Sequence, residues 1–399
     1  MKTYNQQVVK KENKSLVMHV IKESPPLSRT DVANKTGLNK GTVSSLVSEL
    51  IEEQLVSESG PGKSNGGRRP VMLFFNENAG YSIGVDLGVN YILGIVTNLQ
   101  GKIHKEKLEK FQELTYEDIK KRLYEMIDCM VASIPDSPYG LVGIGIGVPG
   151  TVDTTGRILM APNLNWKNID LKNMVAKKYC VPVKVENEAN CGAYGEKKFG
   201  VGINFTNMIY ISIGFGIGGG LILNNQLYQG NNGLSGELGH MTIERSGEKC
   251  RCGDHGCWEL YASERALVSQ AKLMMNDPAI TLEHLIDLAE NEDLTAIELF
   301  SEIGKSIGIG INNIINIFNP NQVILGNRLA ACEKWIHSSL VETIKNHSLS
   351  NHQKNLHIQY SSLASHSCAL GVAAFSTEHF LDNDLYHQSI QTYPLVHQY

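Results

Sequence analysis

Three cysteines fall within eight residues at Cys250, Cys252 and Cys257, with His240 ten positions upstream. No other spacing constrains this chain as tightly. Three thiolates and one imidazole complete the tetrahedral shell of Zn²⁺ and leave no open position, so the expected metal is structural and pins the loop that carries it. Gly253 and Gly256, set between the thiols, permit the tight turns such a knot needs. The other cysteines, Cys129, Cys180, Cys191, Cys332 and Cys368, stand singly in apolar or mixed segments, as reduced thiols that pack rather than a disulfide framework. Two carboxylates, Glu237 and Glu259, bracket the knot and would be held rigidly beside it. That arrangement suits hydrogen bonding to a polyol, and a small sugar is the first ligand it suggests.

With 399 residues, 42% hydrophobic and 19% charged, the chain reads as an ordinary soluble globular protein, long enough for two or three domains. Its start, MKTYNQQVVKKENK, lacks the apolar core of a signal peptide, and no later run approaches the roughly 20 apolar residues of a membrane span. A cytoplasmic location with no membrane partner is expected. The formal charge of −5 hides an asymmetry: residues 1–75 hold eleven Lys or Arg against seven Asp or Glu, and the remainder is acidic. A basic front on an acidic body points to nucleic acid contact by the front alone.

The pattern within that front is more specific. Leu16, Val17, Val20 and Ile21 make one amphipathic helix, and Ser28-Arg-Thr-Asp31 offers a capping-box start for a second that ends at Gly37. Asn39 then caps a third, whose Val43, Leu46, Val47, Leu50 and Ile51 recur on one face. The opposite face begins with Lys40, Gly41, Thr42, Ser44 and Ser45, small and polar. Such a third helix can enter the major groove, where Thr and Ser supply hydrogen bonds and Lys40 a charge-assisted one. Downstream, 55–59 and 71–75 read as two strands joined by GPGKSNGGRRP. That is a wing, with Lys63, Arg68 and Arg69 placed to follow phosphates or enter the minor groove.

A second unit begins after Asn76. Strands are expected at 81–88, 91–96, 102–104, 141–148, 183–186, 207–213 and 221–224, with helices around 116–133, 189–199, 264–275 and 296–318, an alternation that indicates an α/β fold. The turn at Asp86-x-Gly88 can wrap backbone amides around a phosphate. Gly145, Gly147 and Gly150 satisfy GxGxxG, as do Gly214, Gly216 and Gly219, but neither run opens a helix, so neither is a dinucleotide fingerprint. Gly304-Lys305-Ser306 lacks the first glycine of a P-loop.

Taken together, Asp86-x-Gly88, Asn187-Glu188-Ala189-Asn190, Gly214-x-Gly216-x-Gly218-Gly219-Gly220, Glu237-x-x-His240 and Cys250-x-Cys252-Gly-x-x-Gly-Cys257-x-Glu259 resemble the ROK family of bacterial repressors and sugar kinases. The resemblance covers residues 76 to about 380, and the helix-turn-helix front resembles the family's repressor branch, most of all its xylose-responsive members from Gram-positive bacteria. It implies an actin-like, ribonuclease H-like fold of two lobes over residues 77–383, preceded by a winged helix-turn-helix domain at 1–76 and followed by a polar tail at 384–399. It implies that Asn187, Glu188, Glu237, His240 and Glu259 line a sugar pocket, His240 giving one ring nitrogen to the metal and turning the other toward the sugar. Gly150 and the Pro162–Trp166 segment would complete it, with Trp166 available either to stack on the sugar or simply to pack in the core.

In the family's kinases the pair at Asn187-Glu188 reads Asn-Asp, and the aspartate is the general base. The longer glutamate displaces the carboxylate by about 1 Å, which spoils in-line geometry but keeps an acceptor for the sugar. The phosphate turn also departs from the kinase pattern, since Asp86-Leu-Gly-Val-Asn90 lacks the second glycine and the threonine that meet ATP, and Val323-Ile-Leu-Gly-Asn327 keeps only one of two paired glycines. The resemblance therefore implies no catalysis. It implies a homodimer, or a dimer of dimers, on a palindromic operator, released when a monosaccharide, xylose by this resemblance, binds between the lobes. Control by glucose or by a protein partner, and an active sugar kinase, are the alternatives.

Overall fold

A computed structural model of the chain describes residues 6–61, 70–112 and 114–383. The first helices form as their caps dictate. α1 spans Gln6–Glu23, a short strand β1 covers Leu27–Ser28, and α2 runs Arg29–Thr36 with the reciprocal Ser28–Asp31 capping box in place and Gly37 closing it in the left-handed conformation at φ +72°. α3, Lys40–Glu52, starts where the Asn39 side chain accepts from the Thr42 amide, and buries Val43, Leu46, Val47 and Leu50. Its opposite face leaves Lys40, Gly41, Ser44 and Ser45 exposed. β2 (Val56–Pro61) and β3 (Val71–Phe75) pair antiparallel and complete a three-stranded sheet with β1. The hairpin tip that carries Lys63, Arg68 and Arg69 lies outside the described residues. Replacing Asn39 by Ala is expected to cost about 1 kcal/mol, seen as a lower urea midpoint with an unchanged slope.

The body repeats one topology twice. In the first lobe β4 (Tyr81–Leu87), β5 (Tyr91–Asn98) and β6 (Ile103–Lys110) run as an antiparallel meander; α4 (Tyr116–Val131) then leads to β7 (Leu141–Val148), parallel to β4. A small sheet of β8 (Thr151–Val152), β9 (Ile158–Ala161) and β10 (Trp166–Ile169) intervenes before α5 (Leu171–Tyr179) and the parallel β11 (Val183–Asn187). α6 (Glu188–Phe199) crosses to the second lobe, where β12 (Met208–Ile213), β13 (Ile217–Leu223) and β14 (Gln226–Tyr228) repeat the meander. Helices α7 (Glu259–Ala262), α8 (Glu264–Met274), α9 (Leu282–Glu290) and α10 (Leu294–Phe318) precede β15 (Gln322–Gly326), and α11 (Glu333–His347) precedes β16 (His357–Tyr360), both strands joining in parallel. The strand orders, β6-β5-β4-β7-β11 and β14-β13-β12-β15-β16, are the same in both lobes.

The glycine runs gain their explanation here. β13 begins at Ile217 rather than Leu221, so Gly218–Gly220 lie within the strand. A Cβ on Gly220 would come 2.3 Å from the Ala189 carbonyl, and one on Gly145 2.3 Å from that of Val372. Only glycine lets α6, and the final helix α12 (Ser367–Asn383), lie this close to their sheets. The helix α10 packs one side on α11 and leaves Glu298, Glu302 and Lys305 exposed on the other.

The seam near residue 76 is a shared core, not a free linker. Val17, Met18 and Ile21 of α1 and Leu46, Val47 and Leu50 of α3 form one buried cluster with Leu99, Val142, Phe380 and Leu381 of the body. At the end of α12, Asp382 pairs with Ser15 Oγ at 2.8 Å and His19 Nε2 at 2.9 Å on α1. The helix that packs on α6 therefore also holds the reading head.

Candidate functional site

The cysteine knot folds on its own backbone. The Cys250 amide donates to the Asp254 carbonyl at 2.7 Å and Gly253 N–H to the Cys250 carbonyl at 3.0 Å, while isolated bridges Thr242–Cys257 and Lys249–His255 close the loop. Gly256 has φ +71°, and a Cβ there would fall 1.6 Å from the Glu244 carbonyl, so this turn requires glycine. The result brings one ligand atom each from His240, Cys250, Cys252 and Cys257 within 4.8 Å of one another. Cys252 and Cys257 sulfurs lie 3.6 Å apart, and Cys250 Sγ lies 3.7 Å from His240 Nδ1. A tetrahedral ion with Zn–S bonds of about 2.3 Å sets its donors roughly 3.8 Å apart, so the donor set fits a closed metal site. Because Nδ1 faces the thiols, Nε2 is the ring nitrogen left for a ligand.

Beside the knot stand the two predicted carboxylates. Glu259 Oε1 lies 3.5 Å from Cys250 Sγ and 3.4 Å from Arg265 Nη2, and Glu259 opens α7 within the turn that follows Cys257. Desolvation raises the Glu237 carboxyl above its usual range, with His240 opposing the shift and Glu259 adding to it. Glu237, His240 and Glu259 thus form one electrostatic group. Arg251, between two of the thiols, reaches across to the first lobe and donates to Asn163 Oδ1 at 3.2 Å.

The second group sits at the N-terminus of α6. Asn187 caps that helix, its Oδ1 accepting from Ala189 N at 2.8 Å and Asn190 N at 3.2 Å, while its Nδ2 donates to the Gly150 carbonyl at 2.9 Å. Gly150, at φ +153°, could carry no side chain, since a Cβ would meet the Met160 carbonyl at 2.3 Å. Buried Glu186, which the sequence reading passed over, steadies this corner by accepting from Asn187 N at 2.9 Å, Asn190 Nδ2 at 3.1 Å and Gln229 Nε2 at 2.6 Å. In the alternating strand Val183-Lys-Val-Glu-Asn187 it reads as an ordinary outward charge, so the sequence carried no distinct signal for it. β13 joins the two groups: its Gly218 faces Ala189 of α6, and its Ile217 backbone lies against Gly239, between Glu237 and His240.

Burial, with the Asp86 charge adding, pushes the Glu188 carboxyl up to about 8, and burial pushes Asp86 up to about 6 although the Tyr91 hydroxyl donates to it at 2.8 Å. Asp86 Oδ1 is buried without a partner. A raised acid favours the neutral form in the folded state, so its contribution to stability is full below its unfolded value and is lost as pH rises through about 8 for Glu188. Glu188→Gln, neutral at every pH, is expected to flatten the fall in thermal midpoint between pH 6 and 8.5 by removing a slope of at most about 1.4 kcal/mol per pH unit. Thermal scans across that range check it.

One open alternative is decided and one expectation is corrected. Trp166 is 2% exposed inside the first lobe's core, edge-on to Tyr116 at 5.3 Å between centroids, so it packs and offers no open face to a sugar. Burying that large ring in the lobe's main cluster outweighs leaving it at the cleft. The Asp86-x-Gly88 turn is not free to wrap a phosphate either: a Cβ on Gly88 would lie 2.1 Å from Tyr91 Cε1, because the Tyr91 ring fills the turn.

The ROK family model matches residues 82–379, and the IclR helix-turn-helix domain model matches residues 16–60. The chain is 45% identical to the xylose repressor of Bacillus subtilis (strain 168), over 95% of this chain and 98% of that protein. A solved ROK family transcriptional regulator, a homolog of the E. coli MLC protein, superposes with a TM-score of 0.82 at 27% identity, covering 94% of this chain and 97% of its own. The ROK family glucokinase from Streptomyces griseus, in complex with glucose and AMPPNP, superposes with a TM-score of 0.69 at 28% identity over 75% of this chain and 99% of its own. With a repeated two-lobed body and a helix-turn-helix in front of it, the chain belongs to the ROK family.

Proposed function

We propose that the chain is a DNA-binding transcriptional repressor of sugar-utilisation genes, released from its operator by a monosaccharide, with xylose as the inducer. The observation that carries this reading is the cluster of Glu237, His240 and Glu259 beside a closed His/Cys₃ site, in a body whose last helix grips a helix-turn-helix. Residues 1–76 read DNA and residues 77–383 bind sugar. Lys40, Gly41, Thr42, Ser44 and Ser45 on α3, capped by Asn39, face the bases, and Lys63, Arg68 and Arg69 meet the phosphate backbone.

In the body, Asn187 with Gly150 and Glu188 line one wall of the sugar pocket, and Glu237, His240 and Glu259 the other. Buried carboxyls held toward the neutral form can both accept from and donate to sugar hydroxyls. Structural Zn²⁺ on His240, Cys250, Cys252 and Cys257 holds Glu259 and the His240 ring in place without taking part in chemistry. Two copies, related by a twofold axis, set two α3 helices on a palindromic operator, and the assembly works in the cytoplasm. Sugar draws the lobes together, α12 shifts with α6, and the heads lose their match to the half-sites. The size of the response equals the difference in sugar affinity between the two states.

Fluorescence anisotropy of labelled operator, titrated with xylose, glucose and fructose, tests the reading. Release by xylose with no other addition is the expected result. An operator complex untouched by every sugar, yet released by a protein from sugar-grown cells, would remove it.

A further inference from the structure

A helix leaves its last carbonyls without partners of its own, and where they find them decides what the helix is fastened to. At the end of α3 the Glu49 and Leu50 carbonyls accept from the amides of Glu53 and Leu55 at 2.9 and 3.0 Å. The Gln54 carbonyl, on a residue at φ +58°, accepts from Asn76 Nδ2 at 2.8 Å. The Glu53 carbonyl finds its donor outside the head. It accepts from the hydroxyl of Tyr139, 86 residues further along the chain, at 2.9 Å.

Tyr139 is itself held from two sides. Its loop, between α4 and β7, is bound to the first-lobe sheet: Tyr139 N–H donates to the Ala79 carbonyl and Tyr81 N–H to the Gly140 carbonyl, both at 2.8 Å. Its ring meets Phe380 of α12 edge to face, with centroids 4.9 Å apart, in the apolar core that head and body share. Burial raises the phenol to about 12, with the Glu53 charge adding to the shift, so at neutral pH the hydroxyl keeps its proton and stays a donor. Glu53 is fixed by its side chain as well, since its Oε1 accepts from Lys14 Nζ of α1 at 2.5 Å, and Lys14 is 3% exposed. One corner thus joins α1, α3, α12 and the first-lobe sheet.

We propose that Tyr139 is a positioning residue that makes the recognition helix follow the body: its hydroxyl ties the end of α3 to the first lobe, and Phe380 passes movement of α12 into its ring. The proposal rests on the reading of this chain as a repressor released by sugar. The physics is that of a tether. Sugar and operator exclude one another only if the head cannot stay on DNA while the body rearranges, so the penalty for holding both is no larger than the strength of the ties between head and body. A phenol donating to a part-buried carbonyl supplies a defined share of that strength, and its loss leaves the carbonyl unpaired. The apolar contacts of the shared core are non-directional, whereas the hydrogen bond fixes angle as well as distance.

The test is the operator and xylose binding cycle, measured on the full chain and on Tyr139→Phe, which keeps the ring against Phe380 and deletes one hydroxyl. Each ligand alone is expected to bind the variant within about twofold of the parent, while the factor by which saturating xylose weakens operator binding falls about three- to tenfold, as one net hydrogen bond contributes. A variant that keeps the parent's factor overturns the proposal. So does one whose operator affinity drops equally with and without xylose, which would make Tyr139 a prop for α3 and not a tie. Hydrogen exchange without sugar judges the tie by itself: in Tyr139→Phe the Leu55 and Asn76 amides, which close the same corner, are expected to exchange about three- to tenfold faster, and unchanged exchange there overturns the tie. A parent chain whose operator complex ignores xylose, glucose and fructose, while the variant shows that faster exchange, overturns the sugar reading and leaves the tie standing.

Discussion

Glu259→Gln is expected to shift the sugar response to roughly ten- to hundredfold higher sugar while leaving operator affinity within about twofold of the parent. The change keeps the side chain's shape and exchanges a charged carboxylate for a neutral amide with one acceptor oxygen fewer, so the backbone of the cysteine loop is left as it was. Glu259 lies against Gly216, beside Cys250 and within reach of Arg265, where the cysteine loop meets the β12–β13 turn. A hydrogen bond to a charged acceptor contributes about 1.5–3 kcal/mol, so the sugar's affinity should fall by roughly one to two orders of magnitude. Arg265, left without its partner, adds to the loss. Calorimetric titration of sugar, paired with operator anisotropy, separates the two functions. Equal weakening of both would mean that Glu259 supports the fold and not the pocket.

Cys257→Ser should do more damage, and of a different kind. Cys257 is fully buried and is one of four donors in a site that has none to spare. Losing it should release the metal, and because binding energy at a structural zinc site is folding energy, the loop from Glu237 to Glu259 should lose its order. The expected signature is zinc absent from the purified variant, a lower thermal midpoint and no sugar response. Operator binding at low temperature should persist, since the head packs on Leu99, Val142 and Phe380, far along the chain from the metal loop. Metal analysis and melting curves read the outcome. A variant that retains zinc, or that loses it and still answers to sugar, would contradict the role given to the knot.

The reading head was legible because its signals are local. Ser28, Gly37 and Asn39 each act within a few residues of themselves, and each sits in the structure as the cap it was expected to be. The clustering of His240 with the three cysteines was legible for the same reason, with three of the four residues within one loop. The repeated topology of the lobes was not, since pairing β4 with β7 or β12 with β15 is decided across long stretches of chain. Trp166 shows the same limit from the other side: whether an aromatic faces a cleft or a core depends on partners such as Tyr116, fifty residues away. The shared core between head and body was hidden because Phe380 and Leu381 return from the far end of the chain.

That return gives α12 its mechanical place. It packs on α6, whose N-terminus carries Asn187 and Glu188, the residues proposed above for the pocket, and its last turn holds α1 through Asp382. Between them, Glu378 accepts from Tyr194 and pairs with Lys198 at 2.6 Å, both on α6. A shift at the proposed pocket would therefore have a packed, hydrogen-bonded route to the head.

The most direct measurement is the full binding cycle of sugar and operator on one preparation. Linkage requires that the factor by which xylose weakens operator binding equal the factor by which operator weakens xylose binding. We expect xylose to bind the free chain more tightly than the operator-bound chain, by that same factor. An equal xylose affinity with and without operator would contradict the claim that sugar in this cleft controls the DNA-reading head.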